Sequence, residues 1–200
     1  MTLTTHQPDY WEQRYQEGTT HWDLGEAAPP LREWLLTNPE LPRGPTIVLG
    51  SGRGYDAVLF AQHGFDVVAV DFAPSAIAAT QALAAANQVS VQLLQRNIFD
   101  LVPEFTSCFD YVVEHTCFCA IDPSQRHQYV DLVRSLLRAG GYLLGLFFTH
   151  DRPGGPPFGS TPEELRQYFT PSFEILSLDP AHNSVPSRQG EEHLGWFRKR

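Results

Sequence analysis

The sequence predicts a doubly wound α/β fold around a mostly parallel, seven-stranded sheet. Apolar runs of strand length recur at residues 46–49, 66–70, 89–94, 109–113, 142–148 and 173–178, and amphipathic helical patterns fall between them at 55–63, 74–86 and 123–137, with another at 161–169. Strand–helix alternation places crossover helices on both faces of a sheet, which is the arrangement parallel strands require. A chain of 200 residues is about one and a third times the usual domain length, so a single structural unit with elaborations is expected.

The elements follow in chain order. Residues 1–45 contain two amphipathic helices, at 8–16 and 28–37, with no strand of their own; residues 46–200 hold the sheet. The strand at 46–49 runs into Gly50-Ser-Gly52-Arg-Gly54 and then a helix. Pro74 with Ser75 suits a helix start, and the alanines of 76–86 favour a helix that packs closely. Gly140-Gly141 is expected to close the helix at 123–137. The last segment, 191–200, alternates weakly after a turn-rich stretch and reads as an edge strand.

Composition narrows the functional classes. With 42% hydrophobic and 18% charged residues, the chain is neither disordered nor fibrous. Its apolar runs stop short of membrane-spanning length, and the start MTLTTHQPDYWEQRY lacks a signal-peptide pattern, so a cytoplasmic location is expected. Fourteen basic and 23 acidic residues leave a net charge of −9 without a basic stripe, which argues against nucleic acid. Three cysteines, Cys108, Cys117 and Cys119, make a disulfide framework improbable. Cys117 and Cys119 on an extended segment face one side with too few partners for zinc, so no metal is expected.

The glycine loop carries the most chemistry. Where such a loop opens a helix, free amides form a cradle for a ligand, normally a nucleotide-like one. Asp71, at the end of the second strand and twenty-one residues after Gly50, is placed to accept both hydroxyls of a ribose. A dinucleotide fingerprint needs glycine at the third residue after Gly52; Tyr55 stands there, with Gly54 one place early. Pyrophosphate therefore fits poorly, although a nicotinamide oxidoreductase stays open as an alternative, as does a structural turn with a solvated Asp71. Asn97 and Ile98 lie after the third strand, at the same carboxyl edge where such sheets bind ligands; a turn amide bonding its own backbone is the other reading of Asn97.

The glycine triplet followed by an acid at the next strand end resembles the cofactor loop of class I S-adenosylmethionine methyltransferases. The flanking segments sharpen this: Tyr10-Trp11-Glu-Gln-Arg-Tyr15, Trp22-Asp23-Leu-Gly25, Phe109-Asp-Tyr, Phe118-Cys-Ala-Ile-Asp-Pro123, Gly154-Gly-Pro-Pro-Phe158 and Asn183-Ser-Val-Pro-Ser-Arg188-Gln-Gly. In order and over nearly the whole chain, they resemble the thiopurine methyltransferase superfamily, and within it the halide and thiol methyltransferases. The resemblance implies a Rossmann-like sheet and S-adenosyl-L-methionine as cofactor. It assigns cofactor contacts to Trp11, Tyr15, Trp22, Gly50, Gly52, Asp71, Asn97, Ile98 and His115, with Asn97 and Ile98 on the adenine; a structural histidine satisfied within the protein is the other reading of His115. It places Phe118 and Phe147 in a small substrate pocket, where relatives carry tyrosine at the Phe147 position. Arg152 and Phe158 lie in a Gly/Pro-rich loop suited to covering that pocket, or in a plain surface loop.

Trp11 and Tyr15 lie four residues apart, on one helical face, and Trp22 follows in a loop that can fold back, so residues 1–45 are expected to form a lid over the cofactor. Aromatic faces attract a sulfonium by roughly 0.5–2 kcal/mol per contact; the same rings also serve as a stripe that packs the leading helix. Methyl transfer to a thiol, bisulfide, halide or thiocyanate is an in-line displacement that needs alignment and dryness, not a general base, so no catalytic acid or base is named. The expected partner is a small-molecule methyl acceptor. A cofactor-binding protein without turnover is a further alternative. The sequence leaves the oligomeric state open, with a monomer as the default.

Overall fold

A computed structural model describes residues 4–200. Two helices, α1 (Pro8–Glu17) and α2 (Pro29–Thr37), precede the sheet. There follow β1 (Pro45–Leu49), α3 (Tyr55–Gln62), β2 (Asp66–Asp71), α4 (Pro74–Ala86), β3 (Gln92–Gln95), β4 (Phe109–His115), α5 (Arg126–Leu136), β5 (Leu137–Phe148), α6 (Pro162–Phe169), β6 (Phe173–Pro180) and β7 (Glu192–Lys199). The strand order is β3-β2-β1-β4-β5-β7-β6, with β1 to β5 parallel and β7 antiparallel to both of its neighbours.

Period-two alternation divides the core into two layers. Ile47 and Leu49 of β1 join Val68, Val70 and Val112 on one side of the sheet. Val48 joins Val67, Ala69 and Val113 on the other, where α2 and α3 contribute Leu31, Leu35, Ala57 and Phe60. Both faces of the central strands are thus covered, which explains their continuous apolar runs.

Four sequence expectations are corrected. The long helix expected at 123–137 is a 3₁₀ turn, Pro123–Gln125, followed by α5, and Gly140-Gly141 do not close it. Leu137 is already extended, and the pair sits inside β5, where the register slips between Phe109↔Leu137 and Tyr111↔Tyr142. Gly141 is needed there because a Cβ would lie 3.0 Å from the Asp110 carbonyl oxygen. The C-terminal strand is interior: β7 pairs with β5 and β6 together, leaving β6 at the edge. The third strand begins at Gln92, later than its apolar run suggests. Cys117 and Cys119 lie at a 3₁₀ turn, Phe118–Ala120, and are not extended; all three cysteines are free. Among the described residues, no helix is long and apolar enough to cross a membrane.

Candidate active site

The carboxyl ends of β1, β2, β3 and β4 open onto one cavity of about 480 Å³. Gly50, Gly52, Asp71, Asn97 and Ile98 line its floor, while Trp11, Tyr15 and Trp22 close over it.

The loop after β1 turns through three left-handed glycines, at φ +59°, +56° and +83° for Gly50, Gly52 and Gly54. Gly54 is the N-cap of α3. A Cβ on it would stand 2.4 Å from Thr80 of α4, whose hydroxyl donates to the Gly52 carbonyl at 3.0 Å. The third glycine therefore comes one place earlier than in a dinucleotide loop because α4 packs against the loop at that residue.

Asp71 ends β2 and is buried. Its Oδ2 accepts the Gly52 N–H at 3.0 Å and its Oδ1 accepts the Ala73 N–H at 2.9 Å. Burial pushes its carboxyl up to about 6, against the pull of the backbone N–H groups of Ala73, Gly52 and Phe72. One carboxylate thus fixes the glycine loop and the turn into α4 together, beside the cavity. Asn97 uses its Oδ1 to accept the Phe99 N–H at 3.0 Å, capping the turn Ile98–Asp100, and it also lines the cavity.

The N-terminal cover is held by polar contacts, since α1 buries no residue completely. Glu12 Oε2 accepts the Ser75 N–H at 2.9 Å and Oε1 accepts the Ser75 hydroxyl at 2.6 Å, which caps the first turn of α4 from a distant segment. Burial raises the Glu12 carboxyl, but the bonds from Ser75 and Gln16 outweigh it and hold it below its ordinary value. Trp22 stands edge-on to Trp11 and Tyr15, with centroids 5.3 and 5.7 Å away, so the three rings form one aromatic wall. Burial, with Asp71 nearby, pushes the Tyr15 phenol up.

The segment carrying Trp22 is tied down twice more. Arg53 Nε meets Asp23 Oδ2 at 2.5 Å, and Arg188 Nη2 donates to the Trp22 carbonyl at 2.6 Å. Arg188 is buried, ion-paired with buried Glu192 at 3.2 Å, and lines the cavity. Its Nη1 also lies 2.9 Å from His115 Nε2, while His115 Nδ1 lies 2.8 Å from Asp56 Oδ2. A guanidinium only donates, so Nε2 accepts and Nδ1 carries the proton to Asp56. His115 stands at the end of β4 but lines a smaller recess beneath the glycine loop, with its ring nitrogens engaged by protein. Asp56 Oδ1 accepts the Ala28 N–H at 2.9 Å, which brings the start of α2 into the same network.

Phe118 and Phe147 do not line the cavity. Each is 1% exposed, and they pack against each other and Phe169 in the core below. Alternation along β5 turns Phe147 into that layer and presents its neighbour Phe148 to the cavity instead. The cavity also takes Thr116, Cys117, Cys119, Ile121, Pro156 and Pro157. Burial pushes the Cys119 thiol up to about 12 and raises Cys117 as well, so both stay protonated and neither competes as a nucleophile. The turn they occupy is held by Glu114, fully buried, whose Oε2 accepts the N–H groups of Cys117 at 3.1 Å and Phe118 at 2.7 Å; burial pushes its carboxyl up to about 7.

Sequence reading missed Glu12, Glu114 and the cavity-facing Phe148, and it assigned Arg188 no role. Glu12 and Ser75 are 63 residues apart, and nothing in either local pattern signals the pairing. The signal for Phe148 was present in the β5 alternation, which allows either face until a neighbouring layer decides.

The chain as a whole is similar to known proteins. A family model described as Thiopurine S-methyltransferase matches residues 6–200. The chain is 32% identical to "Probable thiol methyltransferase 2" of Arabidopsis thaliana over 193 residues, covering 94% of this chain and 84% of that protein. It is also 32% identical to Thiocyanate methyltransferase 1 of the same plant over 197 residues, with the same coverage. In fold it is similar to the 1,6-didemethyltoxoflavin-N1-methyltransferase of Burkholderia thailandensis, with a TM-score of 0.78 at 20% identity, over 100% of this chain and 92% of that one. The sheet order, the glycine loop with its acid and a family match over nearly the full length agree: the chain belongs to the thiopurine S-methyltransferase family of S-adenosyl-L-methionine-dependent methyltransferases.

Proposed function

We propose that the protein transfers a methyl group from S-adenosyl-L-methionine to a small soft nucleophile, a thiol, bisulfide, halide or thiocyanate. The observation that carries this reading is the convergence of the glycine loop, the buried Asp71 carboxylate and the Trp11–Trp22–Tyr15 wall on a single cavity. These residues fit the cofactor. Asp71 has acceptor capacity for ribose hydroxyls beyond its two backbone bonds, Gly50 and Gly52 let a ligand approach the backbone, and Asn97 and Ile98 line the part assigned to the adenine. His115 reaches the site through Arg188 and the lid segment.

When bound, the cofactor supplies a methyl group on a positively charged sulfur, ready for in-line transfer. The aromatic wall would offer ring faces to that charge and exclude water. Of the segment 1–45 expected as a lid, residues 5–22 take that role, latched by Glu12 on Ser75 and by Arg188 on the Trp22 carbonyl, whereas α2 packs on the sheet and residues 1–3 lie outside the described residues. A soft anion needs no deprotonation at the moment of reaction, so alignment and dryness are the protein's contribution. The names of the thiol and thiocyanate methyltransferase relatives support the acceptor class. A volume of about 480 Å³ lies in the lower part of the range for small-molecule sites, which suits a nucleoside cofactor with a small acceptor. Incubation with labelled S-adenosyl-L-methionine and bisulfide, iodide, thiocyanate, aromatic thiols and thiopurines tests the proposal. A methylated product from at least one is expected, and none from any refutes the acceptor class.

A further inference from the structure

Arg126 opens α5 and is only 3% exposed, yet among the described residues it has no ion-paired carboxylate. The other buried arginine, Arg188, is neutralised by Glu192. A buried cation without an acid is expensive to keep, so its actual partners are informative. Nη2 donates to the carbonyls of Phe158 at 3.2 Å and Gly159 at 2.8 Å, the guanidinium lies 4.8 Å from the centre of the Phe118 ring, and Nε is buried with no partner. The side chain is therefore committed to one segment, residues 151–160, whose base is closed by the bridge between His150 and Ser160. From the same segment the Phe158 N–H donates to the Cys119 carbonyl at 2.7 Å. Pro156 and Pro157, immediately before this anchor, line the cavity, as does Cys119.

We propose that Arg126 is a positioning residue that holds the 151–160 segment as the acceptor-side wall of the cavity and so sets which acceptors fit. The inference rests on the methyltransferase reading: the glycine loop, Asp71, Asn97 and Ile98 form the cofactor side, which leaves the Pro156–Pro157 wall to face the acceptor. An arginine suits the task because one of its nitrogens, Nη2, serves both carbonyls while the planar guanidinium lies over Phe118; a lysine ammonium can donate to the carbonyls but has no planar face to lay on the ring. Arg126 does not itself line the cavity, so it acts through the wall.

The test uses the full-length protein and the substitutions Arg126→Gln and Arg126→Lys. Amide hydrogen exchange is followed over 151–160, with β1 and α3 as internal reference, and S-adenosylhomocysteine affinity is measured by calorimetry. The kcat and KM are measured for whichever acceptor the wild type methylates. In Arg126→Gln, exchange at the Phe158 amide should quicken on the order of tenfold while the reference amides hold. Acceptor KM should rise by a similar factor, with S-adenosylhomocysteine affinity within about twofold of wild type, and Arg126→Lys should fall between. Unchanged exchange over 151–160 overturns the proposal. So does faster exchange with an unchanged acceptor KM, because the segment is then no acceptor wall. If both variants unfold, or lose S-adenosylhomocysteine affinity as much as acceptor affinity, Arg126 is a general fold residue and the proposal also falls. Should the wild type methylate no acceptor, the functional reading fails separately, and the exchange data still decide whether Arg126 holds the segment.

Discussion

Asp71→Asn separates binding from stability, because the carboxylate proposed to hold the cofactor is costly to bury in the empty protein. The rise of the Asp71 carboxyl from its ordinary 3.8 to about 6 corresponds to about 3 kcal/mol. The sign follows from linkage. A folded-state value above the unfolded one means that this stability is fully present below about pH 4 and is lost as pH rises through about 6. Asparagine carries no charge and avoids that loss. Its amide has one acceptor oxygen, however, so either the Gly52 or the Ala73 N–H, at 3.0 and 2.9 Å from the carboxylate, loses its partner, at about 1–3 kcal/mol. At pH 8 the two changes nearly offset, and the variant should unfold within about 2 kcal/mol of wild type. At pH 4 only the lost bond remains, and the variant should be less stable. Binding behaves differently. Replacing a charged acceptor of ribose hydroxyls removes hydrogen bonds of about 1.5–3 kcal/mol, so S-adenosylhomocysteine should bind at least about tenfold more weakly at pH 8. Denaturant unfolding at both pH values with calorimetric titration checks all three expectations. Wild-type affinity in a folded Asp71→Asn protein would refute the assignment of Asp71 to the cofactor. A stability difference that does not move between pH 4 and 8 would refute the buried-charge argument.

Other perturbations probe the surrounding framework. For Glu114 the rise from 4.5 to about 7 has the same sign, so its stability is full below about pH 4.5 and about 3 kcal/mol is lost as pH rises through 7; Glu114→Gln should flatten that part of the unfolding profile, as thermal melts at pH 5 and 8 can show. Glu12→Ala removes the cap on α4 and should speed S-adenosylhomocysteine release about threefold to thirtyfold, read by stopped-flow tryptophan fluorescence, with the fold intact. Arg188→Met leaves Glu192 buried without its cation and should cost about 3–5 kcal/mol of stability in denaturant, and a loss below 1 kcal/mol would show that Glu192 finds another partner.

Much of the framework was legible because it depends on local pattern. Strand–helix alternation gave the layered architecture, and the glycine triplet with an acid at the next strand end marked residues that line the cavity, on the side proposed for the cofactor. Both follow from backbone geometry: parallel strands need crossovers, and a loop that offers amides to a ligand needs positive φ. The aromatic cover was visible in the spacing of Trp11 and Tyr15, and the structure adds Trp22 edge-on to both. Elements with only nearest-neighbour signals fared worse. Gly140-Gly141 has the form of a helix stop, yet it serves a register slip that exists only because β4 lies alongside.

The chain's own order of residues determined the sheet, the glycine loop, Asp71 and the family, since each rests on spacings within a few tens of residues. The tertiary structure alone decided that β7 inserts between β5 and β6, that Phe148 and not Phe147 meets the cavity, and that Glu12 latches onto Ser75. It also decided that His115 is held by Asp56 and Arg188 beside the cavity. Each of these is a choice between faces or partners that the local pattern leaves equal, and only packing between segments distant in sequence makes one of them lower in free energy.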